Sequence, residues 1–310
     1  MRVESILDLI GNTPLVGVHQ LSPNPDVRLF AKLEGTNPGG SVKDRIALAM
    51  VEAAEGEGRL QPGDTILEPS SGNTGIGLAL VCRVKGYRLK VVLPENVSPE
   101  RRQLLEIFGA EVLPSPAAEG SNGAIRVAQE LDKEGDSVLL YQYGNPANPE
   151  AHYQGTGPEI WADCPEVDAF VAGLGTSGTL MGVGRYLKER NPAVQIVAVE
   201  PPAGELVQGL RSLDEGYIPP IFDPEMLDRR FIVRPKESVE WTRRLAEECG
   251  VFAGLSSGAV LAGAAKVASA MERGTIVALL PDGGWKYLST GAWTEDVDVV
   301  VERARRLIYF

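Results

Sequence analysis

The sequence predicts an α/β protein in which mostly parallel, twisted sheets are flanked by helices. First, short runs rich in β-branched residues alternate with helical patterns along nearly the whole chain. Second, glycine and proline separate these runs, as at Pro62 and Gly63. Third, the length of 310 residues suits two modest lobes or one large α/β unit.

The predicted strands are short apolar segments bounded by turn residues, at 27–32, 65–67, 90–93, 111–113, 137–140, 169–172, 195–199 and 275–280. Between them lie segments with helical spacing, among them 44–55, 74–84, 99–108, 120–134, 179–190, 239–249 and 257–271. The stretch 204–230 is rich in glycine and proline and is predicted to be an irregular loop. Long loops inside compact domains are often functional.

Composition and charge exclude several classes of function. The net charge of −12 argues against a general nucleic-acid or anionic-membrane surface. The three cysteines form neither a disulfide framework nor a zinc-binding spacing, which fits a reducing cytoplasm. His19 and His152 lie far apart, which argues against a histidine metal site or a Ser-His-Asp triad. The first residues lack the apolar core of a signal peptide, and no apolar run reaches membrane-spanning length.

Three clusters share one design, in which a strand ends, small hydroxyl and glycine residues follow, and a helix begins. They are 68–75 (EPSSGNTG), 173–179 (GLGTSGT) and 254–259 (GLSSGA). Helix N-termini offer free N–H groups and a partial positive charge, so each cluster can hold an anion. Serine, threonine and glycine are also ordinary helix caps, which is the alternative for any single cluster. All three together predict a ligand that carries several negative charges.

The middle cluster has a second interpretation. Gly173, Gly175 and Gly178 satisfy a dinucleotide fingerprint, and Glu200 ends the next strand where a ribose-binding acid belongs. An NAD-dependent oxidoreductase is therefore an alternative at this point. The hydroxyl groups of this cluster favour a compact phosphate monoester over a pyrophosphate.

Lys43 favours a carbonyl-bearing phosphate ligand over a dinucleotide. It lies in 37–45 (NPGGSVKDR), where a turn leads into a helix. The helix dipole disfavours a cation in the first turn, so a lysine there needs a reason. One reason is pairing with Asp44 or exposure to solvent. The other is Schiff-base chemistry, which requires a lysine that loses its proton easily.

These segments together resemble the cysteine synthase family, in pyridoxal-phosphate fold type II. The segment that contains Lys43 is similar to the family's cofactor-lysine segment, and 70–77 (SSGNTGIG) is similar to its asparagine loop. The second cluster resembles its phosphate loop, and the third resembles its pyridine-nitrogen segment. The segments 11–15 (GNTPL) and 141–146 (YQYGNP) also match, in the family's order.

The resemblance implies a tryptophan synthase β-like fold with two lobes. A smaller mobile lobe would span 40–146, and a larger cofactor-binding lobe would combine 1–39 with 147–310. The cofactor would be pyridoxal 5'-phosphate, the chain would form a homodimer, and the partner would be a small amino-acid substrate. No nucleic-acid or membrane partner is expected.

The resemblance also assigns roles to residues. Lys43 would bond to the cofactor and later remove the substrate's α-proton, so that β-elimination precedes addition of sulfur. The cofactor phosphate would be held by Gly175, Thr176, Ser177, Gly178 and Thr179. Asn73 would bond the ring's phenolic oxygen, and Ser256, with Ser257 as an alternative, would meet the pyridine nitrogen. The α-carboxylate would be bound by Ser70, where the family usually has threonine, and by Ser71, Thr74 and Gln142.

Further stretches resemble the actinobacterial cysteine synthase B subgroup that uses O-phosphoserine. They are 85–89, 94–96, 100–106 and 283–291. In that subgroup a loop arginine recognises the substrate phosphate, and Arg211 in 209–212 (GLRS) matches it, with an exposed loop arginine as the alternative. The subgroup takes sulfur from a small carrier protein with a terminal thiocarboxylate, and sulfide or thiosulfate are alternatives. The segment 297–310 is amphipathic; a docked helix is favoured over a tail near the active site.

Other functions remain as alternatives. O-acetylserine sulfhydrylase, serine or threonine dehydratase and cystathionine β-synthase share the fold. A regulatory relative that keeps the fold without the chemistry is the non-enzyme alternative, and Lys43 argues against it.

Overall fold

The computed structural model describes residues 2–70, 72–95 and 97–306. Its strands are β1 (Leu15–Gly17), β2 (Val27–Leu33), β3 (Thr65–Pro69), β4 (Arg88–Pro94), β5 (Glu111–Ser115), β6 (Val138–Leu139), β7 (Ala169–Gly173), β8 (Gln195–Glu200), β9 (Arg229–Ile232) and β10 (Gly274–Leu280). Its α-helices are α1 (Lys43–Gly56), α2 (Asn73–Lys85), α3 (Pro99–Ile107), α4 (Gly120–Asp132), α5 (Ala147–Ala151), α6 (Gly157–Asp163), α7 (Gly178–Arg190), α8 (Pro235–Cys249), α9 (Leu255–Ala270) and α10 (Val297–Arg306).

The strands form two sheets. The smaller sheet has the order β5-β4-β3-β6 and is parallel throughout. The larger has the order β1-β2-β10-β7-β8-β9 and is parallel except for β1, which runs antiparallel to β2 at one edge. The predicted α/β class with parallel, helix-flanked sheets is confirmed.

Helices pack on both faces of each sheet. Because alternate side chains of a strand point to opposite faces, neighbouring residues of one strand belong to different cores. On β7, Val171 packs into a core with residues of α8 and α9, whereas Phe170 packs with residues of α6 and α7. On β3, Ile66 packs with residues of α1 and α2, whereas Leu67 packs with α4. Helices on both faces explain why these strands read as nearly continuous apolar runs.

Several short elements of the structure were not predicted from the sequence. Strands β1 and β9 contain only three and four residues and lie at sheet edges, where alternation is too brief to be recognised. Helices α5 and α6 are joined by a π-helical turn, His152–Thr156, and Pro149 and Pro158 interrupt their pattern.

The segment 204–230, predicted to be an irregular loop, is irregular up to the start of β9 at Arg229. Between β8 and β9 the structure describes only two 3₁₀ turns, Leu213–Glu215 and Pro224–Met226. At the other end of the described chain, α10 packs Val300 against Val239 and Tyr287, so this segment is a docked helix as far as it is described. Residues 307–310 lie outside the described residues. In the described part of the chain, every helix is too short or too polar to cross a membrane.

Candidate active site

One cavity collects most of the predicted site residues. Those that line it are Lys43, Ser70, Asn73, Thr74, Gln142, Gly175, Thr176, Thr179, Arg211 and Ser256. They come from six separate parts of the chain, and the loops that follow β3 and β7 supply two of these parts, as expected for the carboxyl ends of parallel strands. Ser177 and Gly178 belong to the same loop as Thr176, but they are buried and do not line the cavity. Ser71 lies outside the described residues.

Lys43 is the first residue of α1 and is enclosed by protein, with part of its side chain accessible from the cavity. Burial lowers its pKa from 10.5 to about 8, against an opposing effect of the Asp282 carboxylate. The alternative of a pair with Asp44 is not what the structure shows, because no ion pair joins these two described side chains and the charge that acts on Lys43 is that of Asp282. Asp44 instead accepts the N–H of Gly39 at 2.5 Å. Lys43 therefore has the lowered pKa that covalent chemistry with a carbonyl requires.

The entrance to α2 is organised by Ser70. Its hydroxyl oxygen accepts the N–H groups of Gly72 at 3.2 Å and Gly75 at 3.0 Å. Because these two bonds occupy both acceptor positions of the oxygen, its one O–H remains as a donor. A hydroxyl donor at a helix N-terminus suits a carboxylate ligand.

Gln142 lies opposite this entrance. Thr74 donates its hydroxyl proton to Gln142 Oε1 at 2.6 Å, which directs the Nε2 group away from Thr74. One N–H of Nε2 reaches the carbonyl of Pro69 at 3.3 Å, so a second N–H is left. The backbone of Gln142 is also held in place, because the buried Glu68 carboxyl accepts its N–H at 3.1 Å. Thr74 thus acts on the cavity largely through Gln142.

The loop before α7 has a shape suited to a phosphate. Ser177 adopts a left-handed conformation with φ of 71°, and a Cβ at Gly178 would overlap Asn148 Oδ1 at 1.9 Å. Asn148 donates to Thr176 Oγ1 at 3.0 Å. Within the described chain, the buried Ser177 Oγ has no hydrogen-bond partner. An unpaired hydroxyl beside free helix N–H groups fits a phosphate ligand.

Ser256 and Ser257 differ in position at the start of α9. Ser256 lines the cavity, facing Gly209 on the opposite loop. Ser257 is fully buried and does not line the cavity. This geometry favours Ser256 as the partner of a ring nitrogen.

Arg211 is a buried cation in the cavity wall. Only 6% of it is exposed, so the alternative of an exposed loop arginine is wrong. Its Nη1 donates to Asn122 Oδ1 at 3.2 Å, and its Cζ lies 4.6 Å from the Tyr217 ring centre and 5.3 Å from that of Tyr143. These contacts hold the guanidinium without neutralising its charge.

Arg101 lines the cavity but was not predicted as a site residue from the sequence. It is 3% exposed on α3, and its Nη2 donates to Gln208 Oε1 at 3.4 Å. Its spacing of four from the buried Leu105 puts it on the inward face of the helix, and this spacing was the available signal. Lys43, Arg101 and Arg211 all line the cavity, and no acidic residue is among its described lining.

Glu200 is not available to a ribose. It is fully buried at the end of β8, where it accepts the N–H of Leu213 at 2.9 Å and pairs with Arg230 Nε at 3.0 Å. Through the N–H of Leu213, Glu200 instead holds the loop that carries Arg211.

Comparison with known proteins agrees with this geometry. The family model described as pyridoxal-phosphate dependent enzyme matches residues 6–282. The chain is 44% identical over 294 residues to cysteine synthase B of Pseudomonas aeruginosa, covering 94% of this chain and 98% of that protein. It is 45% identical over 304 residues to a cysteine synthase of Staphylococcus aureus, covering 95% and 98%.

Solved structures give the same result. An O-ureido-L-serine synthase superposes with a TM-score of 0.89 at 40% identity, covering 94% of this chain and 96% of that one. A cysteine synthase of Entamoeba histolytica superposes with a TM-score of 0.89 at 35% identity, covering 97% and 95%. The chain therefore belongs to the cysteine synthase family of pyridoxal-phosphate-dependent enzymes, which are transferases, and its cofactor is pyridoxal phosphate.

Proposed function

We propose that this chain converts O-phospho-L-serine to L-cysteine by exchanging the phosphate on the β-carbon for sulfur. The buried Arg211 carries this proposal, because a guanidinium enclosed in a cavity without acidic lining needs an anionic ligand. A phosphate dianion accepts the two parallel N–H bonds that arginine offers, and an acetyl ester carries no such charge.

Lys43 is the proposed covalent attachment point for the cofactor and the base for the α-proton. With a pKa of about 8, a substantial fraction of free Lys43 is neutral near pH 7.5, and only the neutral amine accepts a proton. When bound, pyridoxal phosphate supplies the electron sink for the charge left on the α-carbon. Thr176, Ser177 and the N-terminus of α7 would hold its phosphate, with Gly175, Gly178 and Thr179 completing the loop.

The proposed α-carboxylate site is the entrance to α2. Within the described residues, Ser70 keeps its O–H and Gln142 keeps one N–H for a ligand. Ser71 would add a further donor by resemblance, and Thr74 orients Gln142.

Ser256 is the proposed partner of the pyridine nitrogen. A hydroxyl is neutral, so it would not stabilise a protonated ring as a carboxylate would. A less electron-withdrawing ring shortens the life of a carbanion, which favours elimination and replacement over transamination.

Arg211 would also assist departure of the phosphate. Negative charge increases on the leaving oxygen as the C–O bond breaks, and a preorganised guanidinium stabilises that charge. Arg101 is a second cation that could contact an anion in the same cavity, and its position near Gln208 links it to the Arg211 loop.

Further proposals rest on the family resemblance. The sulfur donor is a carrier-protein thiocarboxylate, with sulfide or thiosulfate as alternatives. The assembly is a homodimer, and the segment 40–146 is a mobile lobe that closes over the site. A cytoplasmic location is supported by the three unbridged thiols, Cys82, Cys164 and Cys249.

The proposal is tested by following the visible band of the cofactor after adding O-phosphoserine, and O-acetylserine in a separate sample. We expect O-phosphoserine to react faster, and Arg211→Ala to slow that reaction about a hundredfold while sparing O-acetylserine. The matched control is Arg185→Ala, which removes an arginine that is 46% exposed on α7. If only O-acetylserine reacts, the chain is an O-acetylserine sulfhydrylase and Arg211 loses its role.

A further inference from the structure

A row of buried polar side chains joins the end of β10 to the start of α2. Lys286 Nζ donates to Asn73 Oδ1 at 2.7 Å, and Asn73 Nδ2 donates to Asp282 Oδ2 at 2.8 Å. Tyr287 donates its hydroxyl proton to the same carboxylate oxygen at 2.6 Å. Lys286 is 0% exposed, and Asp282 and Tyr287 are each 1% exposed.

The two charges fix which way the Asn73 amide faces. An ammonium can only donate hydrogen bonds, and an ionised carboxylate can only accept them. The amide oxygen of Asn73 must therefore face Lys286, and its nitrogen must face Asp282. The reversed amide would set oxygen against carboxylate and N–H against ammonium, so both contacts would become repulsive.

The fixed orientation leaves one donor for the cavity. A primary amide carries two N–H bonds on its nitrogen, and Asp282 uses one of them. Asn73 lines the cavity, and among the described residues only Asp282 accepts from its nitrogen, so the second N–H can reach an acceptor there. An amide free to rotate would present its oxygen half of the time and repel the same acceptor.

We propose that Lys286 and Asp282 are positioning residues that hold the Asn73 amide as a donor toward an oxygen of the pyridoxal phosphate ring. The proposal rests on the role of Asn73 toward that ring, which the family resemblance implies. Neither Lys286 nor Asp282 lines the cavity, so each reaches an oxygen of the ring only through Asn73.

Lys286 has a second contact that the test must separate. Its Nζ also donates to the carbonyl of Gly40 at 3.0 Å, in the turn that precedes Lys43. Loss of the ammonium would disturb this turn as well as the amide. A double-mutant cycle with Asn73 isolates the part that passes through the amide.

The experiment measures the dissociation constant of pyridoxal phosphate by equilibrium dialysis against the full chain, stripped of cofactor. The variants are Lys286→Met, Asn73→Ala, the double variant, and Lys286→Arg as the conservative control. We expect each single change to Met or Ala to raise the constant about tenfold, as for loss of one hydrogen bond. The double variant should show the same tenfold rise, and Lys286→Arg should stay close to the parent.

Thermal unfolding of each cofactor-free variant shows whether it is folded. If Lys286→Met does not fold, the same cycle is run with Asp282→Asn, whose amide keeps the hydrogen bonds but no longer dictates the orientation. That cycle is run in a Lys43→Ala background, because Asp282 also acts on the charge of Lys43. A hundredfold rise in the double variant, or no rise in the Lys286 variant, overturns the proposal while leaving the role of Asn73 intact. If Asn73→Ala itself leaves the constant unchanged, the role of Asn73 fails and the proposal fails with it.

Discussion

The reactivity of Lys43 depends on its enclosure beside Asp282. An ordinary lysine is almost fully protonated at pH 7.5, whereas a group with a pKa of about 8 is about one quarter neutral there. The neutral amine is the nucleophile, so covalent capture of pyridoxal phosphate by the cofactor-free chain should accelerate with pH and level off above about 8. Borohydride trapping at a series of pH values measures this profile.

A change at Asp282 is the control for the pH profile of cofactor capture. Asp282 favours the charged form of Lys43, so Asp282→Asn should move the midpoint of the capture rate to lower pH. A midpoint near 10.5 in the parent chain would mean that Lys43 is not enclosed as the structure has it.

The site depends on elements that are joined by a buried ionic network. Arg45 on α1 binds Glu34 through Nε at 2.7 Å and Glu159 of α6 through Nη1 at 2.7 Å. Lys32 on β2 reaches the same Glu159 at 2.8 Å. Although burial opposes it, hydrogen bonding and charge from Arg45 and Lys32 lower the pKa of Glu159 to about 2. The network ties α1, which begins with Lys43, to the larger sheet.

Removal of Arg45 should destabilise the whole chain. Arg45→Met leaves the buried Glu34 and the partly buried Glu159 without their main partner, so we expect the free energy of unfolding to fall by about 3 kcal/mol. Urea titration measures it, with Arg59→Met as the control. Arg59 forms an exposed pair with Glu57, and its loss should cost less than about 1 kcal/mol. Equal effects of the two changes would contradict the account of this network.

Glu68 on β3 should make the stability of the folded chain depend on pH. Burial raises its pKa from 4.5 to about 8, although the N–H groups of Gln142 and Tyr141 oppose the shift. The folded chain thus holds this proton more tightly than the unfolded chain does. The resulting stability is fully present below about pH 4.5 and is lost as pH rises through about 8.

The contribution of Glu68 is measured by comparing two chains. Urea midpoints from pH 5 to 9 should fall more steeply with pH in the parent than in Glu68→Gln, because glutamine does not ionise. Parallel curves would show that Glu68 does not titrate in this range.

At the scale of the whole molecule, closure of the segment 40–146 is the expected motion. Ser70 and Gln142 belong to this segment, whereas Arg211 belongs to the rest of the chain. A substrate that binds both groups would draw them together. Small-angle scattering should therefore show a smaller radius of gyration with O-phosphoserine than without it, and identical profiles would count against closure.

The sequence predicted what depends on local pattern. The glycine-rich entrances to α2, α7 and α9 could be recognised because the strand, the turn and the helix start are each short-range signals. The same holds for the turn that leads to Lys43. The predicted residues converge on one cavity because parallel strands deliver their carboxyl ends to one side.

What escaped prediction depends on contacts between distant parts of the chain. Lys286 and Asn73 are 213 residues apart, and no local pattern reports that they touch. The stacking of Arg211 with Tyr143 and Tyr217 likewise joins separate segments. The short edge strands β1 and β9 are formed by pairing with neighbours rather than by their own sequence.

The most direct test of the account is the product balance from O-phosphoserine and sulfide with the cofactor-loaded chain. Phosphate and cysteine are measured in the same sample, for the parent and for Lys43→Ala. We expect one phosphate for each cysteine in the parent, and neither product above background in the variant. Phosphate released with pyruvate and ammonia but without cysteine would identify a dehydratase. Failure to release even one phosphate for each active site, with or without sulfide, would contradict the proposed substrate.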